Sequence, residues 1–115
     1  MISPGVAMSV ETIILIAIRQ KRRVLVVRDG RERVICPYRI GWSNENNHNV
    51  LHYQIEGYSS RGLSPNGSSD NWRCHPLESF TAAAIIEGDF VGPTVKPKNR
   101  GQCIVRLQEE VANYY

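Results

Sequence analysis

The sequence predicts a mainly β (α+β) domain: an N-terminal helix, about five short antiparallel strands curled towards a barrel, and a short C-terminal helix. Three observations carry that prediction. Helical spacing of apolar residues appears only near the two ends, in Val10–Lys21 and Gln102–Asn113. Between them, β-rich runs of strand length alternate with turn formers, at Val24–Arg28, Arg31–Tyr38, His48–Gly57, Trp72–Leu77 and Phe80–Glu87. The first two runs flank Asp29-Gly30, a dipeptide that favours a two-residue type I′ hairpin turn. At 115 residues, with 42% apolar and 22% charged composition, the chain supplies one core and one ordinary domain.

Taken in order, Met1–Met8 reads as a loose leader, because Pro4-Gly5 disfavours regular structure. Ser9 suits an N-cap, and Glu11 suits the first turn, where the helix dipole favours an anion. Val10, Ile13, Ile14, Ala17 and Ile18 then recur at helical spacing, and Lys21-Arg22-Arg23 closes the helix with cations. Gly41–Asn49 is a polar loop. In the strand His48–Gly57, Leu51, Tyr53 and Ile55 are expected to point inward and His48, His52, Gln54 and Glu56 outward. Tyr58–Asn71 has no periodicity and is long for a connection inside a compact domain, as functional or mobile loops are. Residues 91–101, with Pro93 and Pro97, read as an extended linker, and residues 102–115 as a C-terminal helix and tail. That helix would set Cys103 or Ile104, Leu107 and Val111 on one side, and it is short enough to need a docking surface on this domain or on a second copy.

The hairpin sets the candidate site. A turn closed at Asp29-Gly30 places Arg28 opposite Arg31, Val27 opposite Glu32, Val26 opposite Arg33 and Val24 opposite Ile35. One face then carries Arg28, Arg31 and Arg33 above Val24, Val26 and Ile35, and the other carries Leu25, Val27, Val34 and Tyr38. Like charges set opposite each other cost stability, so three arginines on one face suggest an anion among them. A solvated hairpin tip, helped by Asp29, is the plain alternative. The net charge of +3, with arginines far outnumbering lysines, suits planar bidentate recognition of an anion but falls short of a duplex-DNA binder's basic stripe.

Cys36, Cys74 and Cys103 form no CxxC pair, and their number is odd. The apolar run Ile13–Ile18 is too short to span a bilayer and sits behind a polar, proline-containing start. A cytoplasmic protein with free thiols and no membrane partner is expected.

The order of short motifs resembles the WYL domain family. The motifs are Ala17-Ile18-Arg19, the Asp29-Gly30 turn, Arg33-Val34-Ile35-Cys36-Pro37 with Tyr38-Arg39-Ile40-Gly41, Val50-Leu51-His52-Tyr53-Gln54, and Trp72-Arg73-Cys74-His75-Pro76-Leu77-Glu78-Ser79-Phe80. They cover roughly Glu11 to Phe90. The resemblance implies a domain over residues 9–90, a small five-stranded Sm-like or SH3-like barrel preceded by a helix. It also implies a sensor of a negatively charged ligand, a nucleotide or single-stranded nucleic acid, that regulates a partner in transcription or phage defence. Arg33 and Arg73 stand on matching motif positions. The chain departs from the family at Asn49-Val50-Leu51, where the naming tripeptide keeps only its leucine, at Arg28 in place of a tyrosine, and at Pro76 in place of an arginine. No helix-turn-helix is legible, so the resemblance implies a stand-alone module working through a separate DNA-binding or effector protein, and the short C-terminal helix with Tyr114-Tyr115 makes a homodimer the expected state.

Alternation and resemblance together nominate Arg28, Arg31, Arg33, Arg39, His52, Gln54, Trp72 and Arg73 as ligand-binding. Guanidinium forks beside His52 and Gln54 suit a phosphate, and Trp72, Tyr53 or Tyr58 suits stacking a base. Arg33 and Arg39 lie about 20 Å apart at strand rise, so one small ligand meets both only if the strand bends. No metal or other cofactor is expected, since Cys74-His75 with Cys36, His48 or His52 lacks the paired spacing of structural zinc. No enzyme is expected either: phosphate-binding glycine motifs are missing, Cys74 and His75 point to opposite faces of a strand, and Glu78 and Asp89 have no partner acid or base. Two alternatives stay open, a metal-independent RNA nuclease using His52 and His75, and a pure oligomerisation or partner-binding module.

Overall fold

The type I′ turn forms at Asp29 and Gly30, whose φ angles of 55° and 70° are the left-handed pair that such a turn demands. It sets Arg28 opposite Arg31, Val27 opposite Glu32, Val26 opposite Arg33 and Val24 opposite Ile35. The computed structural model describes residues 8–92 and 103–112. Within them the elements are α1 (Val10–Gln20), β1 (Arg23–Arg28), β2 (Arg31–Trp42), β3 (His48–Gly57), β4 (Trp72–Pro76), β5 (Phe80–Ile86) and β6 (Arg106–Glu110). Single-turn 3₁₀ helices at Ser69–Asn71 and Leu77–Ser79 flank β4. The strands form one open antiparallel sheet in the order β4-β3-β2-β1-β5, and β6 pairs with β2 beyond the end of β1.

Local chemistry accounts for α1. The Ser9 hydroxyl accepts from the Thr12 N–H at 3.1 Å, and Lys21 closes the helix in the left-handed region, donating its N–H to the Ala17 carbonyl. Ile14, Ala17 and Ile18 pack on Val24, Val26, Ile35, Ile40, Val50 and Phe80, so the helix covers one part of the sheet's first face. The second face has its own core of Cys36, Leu51, Tyr53, Ile55, Trp72 and Ile104. Alternation correctly separates the two sides of β3, but both sides are covered. His52 and Gln54, expected outward, are therefore buried at 0% and 1% exposure.

The segment expected as a C-terminal helix is a strand. Residues 106–110 pair with Arg39–Trp42, bracketed by hydrogen bonds from Val105 N–H to Trp42 O at 2.8 Å and from Val111 N–H to Tyr38 O at 2.9 Å. The reason lies in β2, which at twelve residues outruns the six of β1 and would otherwise leave one edge bare over residues 38–42. Apolar residues at 104, 107 and 111 do fit helical spacing, yet a five-residue segment takes the conformation its partner supplies. Residues 1–7 of the expected leader, 93–101 of the expected linker, and 102 and 113–115 of the expected C-terminal helix and tail lie outside the described residues. The linker's first residue is held down, because the Tyr38 hydroxyl donates to the Val91 carbonyl at 3.0 Å.

The cysteines need a second correction. Cys74 and Cys103, with Cα atoms 6.5 Å apart, form a disulfide that ties β4 to the approach of β6. Only Cys36 is free, and it is buried in the second core. The thiol argument for a cytoplasmic location falls with that bridge. Among the described residues no helix is long and apolar enough to cross a membrane.

Two outcomes follow from the β6 junction. A Cβ on Gly41 would overlap the Arg106 carbonyl and lie 2.7 Å from Ile104 Cγ2, so Gly41→Val is expected to dislodge β6 and destabilise the domain by about 1–3 kcal/mol, read as a lower urea midpoint. Alkylation of the unfolded, unreduced chain is expected to label one thiol, and after reduction three; three labels without reduction would rule out the bridge.

Candidate functional site

Strand pairing carries the arginine face of the hairpin across the sheet. Ile35 lies opposite Gln54 on β3, His52 lies opposite Arg73 on β4, and Val50 lies opposite His75. Cross-strand partners share a face, so Arg73 and His75 join Arg28, Arg31 and Arg33 on the side whose other part α1 covers. The loop after β3 folds back over them. Gln54 Nε2 donates to the Glu56 and Tyr58 carbonyls at 3.2 and 2.7 Å, and the Tyr58 N–H donates to the Glu32 carbonyl at 3.2 Å. Buried Asn71 clasps Ser64, accepting from its N–H and donating to its carbonyl, both at 2.8 Å. Arg73 holds the two ends of the loop together, donating to the Asp70 carbonyl at 2.6 Å and to the Ser59 hydroxyl at 3.1 Å.

The result is a cleft of about 410 Å³ lined by Arg28, Arg31, Arg33, Arg61 and Arg73, with Tyr58, His75 and Asp29. Five guanidinium groups thus meet one carboxylate. Arg28 is partly compensated, its Nε donating to the Ser79 hydroxyl at 3.1 Å and its NH1 lying 3.6 Å from Asp29. Arg31 and Arg33 have no such direct contact, and the Asp29 charge acts on Arg33 only from a distance. They face the Tyr58 ring, 3.8 and 5.5 Å from its centroid, and neither meets a carboxylate among the described residues. Arg33 is only 6% exposed, and its Nε has no hydrogen-bond partner among the described residues. Burial, and then the Arg28 charge, push the Arg33 pKa below its ordinary value. A buried N–H left without an acceptor costs stability until one reaches it.

Beneath the arginines lies a histidine pair. His52 Nδ1 is 3.1 Å from the Val50 carbonyl, and His52 Nε2 is 3.3 Å from His75 Nδ1. Burial, reinforced by the Arg28, Arg33 and Arg73 charges, brings the His75 pKa down to about 4. Burial, and then His75, also push the His52 pKa well below its ordinary value.

Of the nominated residues, Arg28, Arg31, Arg33 and Arg73 come together around the cleft, and His52 and Gln54 lie under it without reaching its surface. Arg39 stands elsewhere on β2, its Nε 3.1 Å from Glu110 of β6, because the strand that replaces the expected helix brings a carboxylate to it. Trp72 is 2% exposed in the second core, its ring 4.9 and 5.5 Å from those of Tyr38 and Tyr53, because it shares the face of Tyr53 and not that of Arg73. Arg61 joins the cleft unforeseen, from a loop without periodicity that offers no signal for it. Of the two histidines weighed for a nuclease, only His75 lines the cleft. Among the described residues no group of His, Cys, Asp or Glu side chains is placed to hold a metal.

The histidine pair makes stability depend on pH. His75 protonates near pH 4 when folded and near its ordinary 6.5 when unfolded, so between these values the unfolded chain binds more protons. Stability is therefore expected to be complete above pH 6.5 and to fall as the pH drops towards 4; urea midpoints across that range check it, and His75→Phe is expected to flatten part of the slope. Compared with protein-family models, with curated proteins and with solved structures, the chain matches none, and the cleft is read on its own geometry.

Proposed function

We propose that this chain is an anion-recognition module that binds a nucleotide or single-stranded nucleic acid through its phosphates and conveys occupancy to a partner. The observation that carries the reading is Arg33, 6% exposed, its Nε unpartnered and no carboxylate paired with it among the described residues, in a cleft where five arginines face one acid. Arginine forks match phosphate geometry bidentately, and desolvation strengthens the match. Tyr58 is 42% exposed while Arg31 lies over its ring, a stacking platform of the kind that single-stranded nucleic acid favours.

The WYL resemblance supports the same reading. Arg33 and Arg73, its two matching arginines, both line the cleft. The antiparallel sheet, with outer strands β4 and β5 joined by a 3₁₀ turn, suits the family's Sm-like or SH3-like barrel. On this reading regulation passes to a separate DNA-binding or effector protein.

Fluorescence polarisation with labelled short single-stranded DNA, and competition by nucleotides, tests the reading. Arg31→Ala and Arg33→Ala are the informative changes, since Arg73 also holds the loop. Each is expected to weaken binding roughly tenfold or more, the loss of a charge-assisted hydrogen bond. A site neutralising three phosphates predicts a log–log salt slope of about −2, flattened by about 0.7 for each arginine removed. Affinity and slope unmoved by the double variant would place binding elsewhere.

A further inference from the structure

Guanidinium groups only donate hydrogen bonds, and His75 stands among them with a lone pair. Its tautomer follows from the contacts beneath it. The Val50 carbonyl can only accept, so His52 Nδ1 carries the proton and donates it across 3.1 Å. His52 Nε2 is then bare, and it accepts from His75 Nδ1 at 3.3 Å. His75 Nε2 is left deprotonated, on a side chain that lines the arginine cleft, and no described residue bonds to it. Burial, with the surrounding Arg28, Arg33 and Arg73 charges, keeps a proton from settling there.

A ligand made only of acceptors would set an oxygen against that lone pair. A phosphodiester carries no proton of its own, so the donor must be a neighbouring group of the same ligand. In a nucleic acid strand the donor fixed beside a phosphate is the ribose 2′-hydroxyl, which also tells RNA from DNA. Resting on the anion reading above, we propose that the cleft selects ribonucleotides: its arginines hold a phosphate while His75 Nε2 accepts the hydrogen bond of the adjacent 2′-hydroxyl. The cleft of about 410 Å³ holds a nucleotide-sized group and not a duplex. An acceptor set against a hydroxyl disfavours the analogue that lacks it, because the lone pair then loses its partner.

The test compares labelled single-stranded hexauridylate with its 2′-fluoro counterpart, which keeps the ribose pucker and loses only the donor. Fluorescence polarisation at neutral pH and fixed ionic strength is expected to show the ribo strand binding about five- to tenfold tighter, the value of one such hydrogen bond. His75→Phe, which keeps a ring and removes the acceptor, is expected to bring the ribo strand down to the affinity of the fluoro strand. Equal wild-type affinities that both collapse in Arg31→Ala with Arg33→Ala would overturn the hydroxyl reading and leave the anion site standing. A ribo preference that survives in His75→Phe would also overturn it, assigning the hydroxyl to another group. Binding of neither strand, or binding indifferent to the arginine changes, would overturn both readings.

Discussion

Two consecutive left-handed residues, Asp29 and Gly30, are the constraint on which the rest of the molecule depends. Side chains alternate along a strand, so a slip of one residue at this turn would send every arginine of the hairpin to the opposite face. With the turn in place, Val24, Val26 and Ile35 lie under α1 while Arg28, Arg31 and Arg33 continue the same face beyond it. Core and cleft are thus two parts of one surface. The packing that holds the helix also holds the arginine backbones in position.

The chain treats its arginines in two ways. Away from the cleft it pairs them: Arg19 with Glu109 at 2.8 Å, Arg39 with Glu110 at 3.1 Å and Arg23 with Glu56 at 3.8 Å. In the cleft Arg31 and Arg33 meet a tyrosine ring in place of an acid. Exposed ion pairs contribute little to stability, so that contrast matters less as an energy than as a distribution of charge. Positive charge is in excess where the loop after β3 encloses space, and more evenly paired where the chain closes on itself. The neutral histidines below belong to the same arrangement, because a protonated His75 would add to the repulsion among Arg28, Arg33 and Arg73.

The length of β2 organises the opposite end. Its first part pairs with β1 and its second with β6, while β3 follows it along nearly its whole course. Register shifts at residues 34–35 and 37–39 of β2 interrupt that long pairing, and the sheet carries a core on each face. The Cys74–Cys103 bridge fastens the approach of β6 to β4, a closure whose entropy a short edge strand does not supply alone.

By itself the sequence determined what depends on near neighbours. The cap at Ser9, the span of α1, the hairpin register, the limits of β3 and the shared face of Arg28, Arg31 and Arg33 are all legible there, because turn dihedrals and side-chain periodicity act over a few residues. Tertiary structure alone decided the rest. Whether residues 106–110 became helix or strand depended on the free edge of a strand more than sixty residues earlier. Whether His52 and Gln54 met water depended on what covered the second side of β3. Arg61 reached the cleft, and Arg39 and Trp72 did not, because loop folding, a carboxylate on β6 and the pairing of Tyr53 with Trp72 placed them. Local pattern states which side chains share a face, and only long-range pairing states what lies across from them.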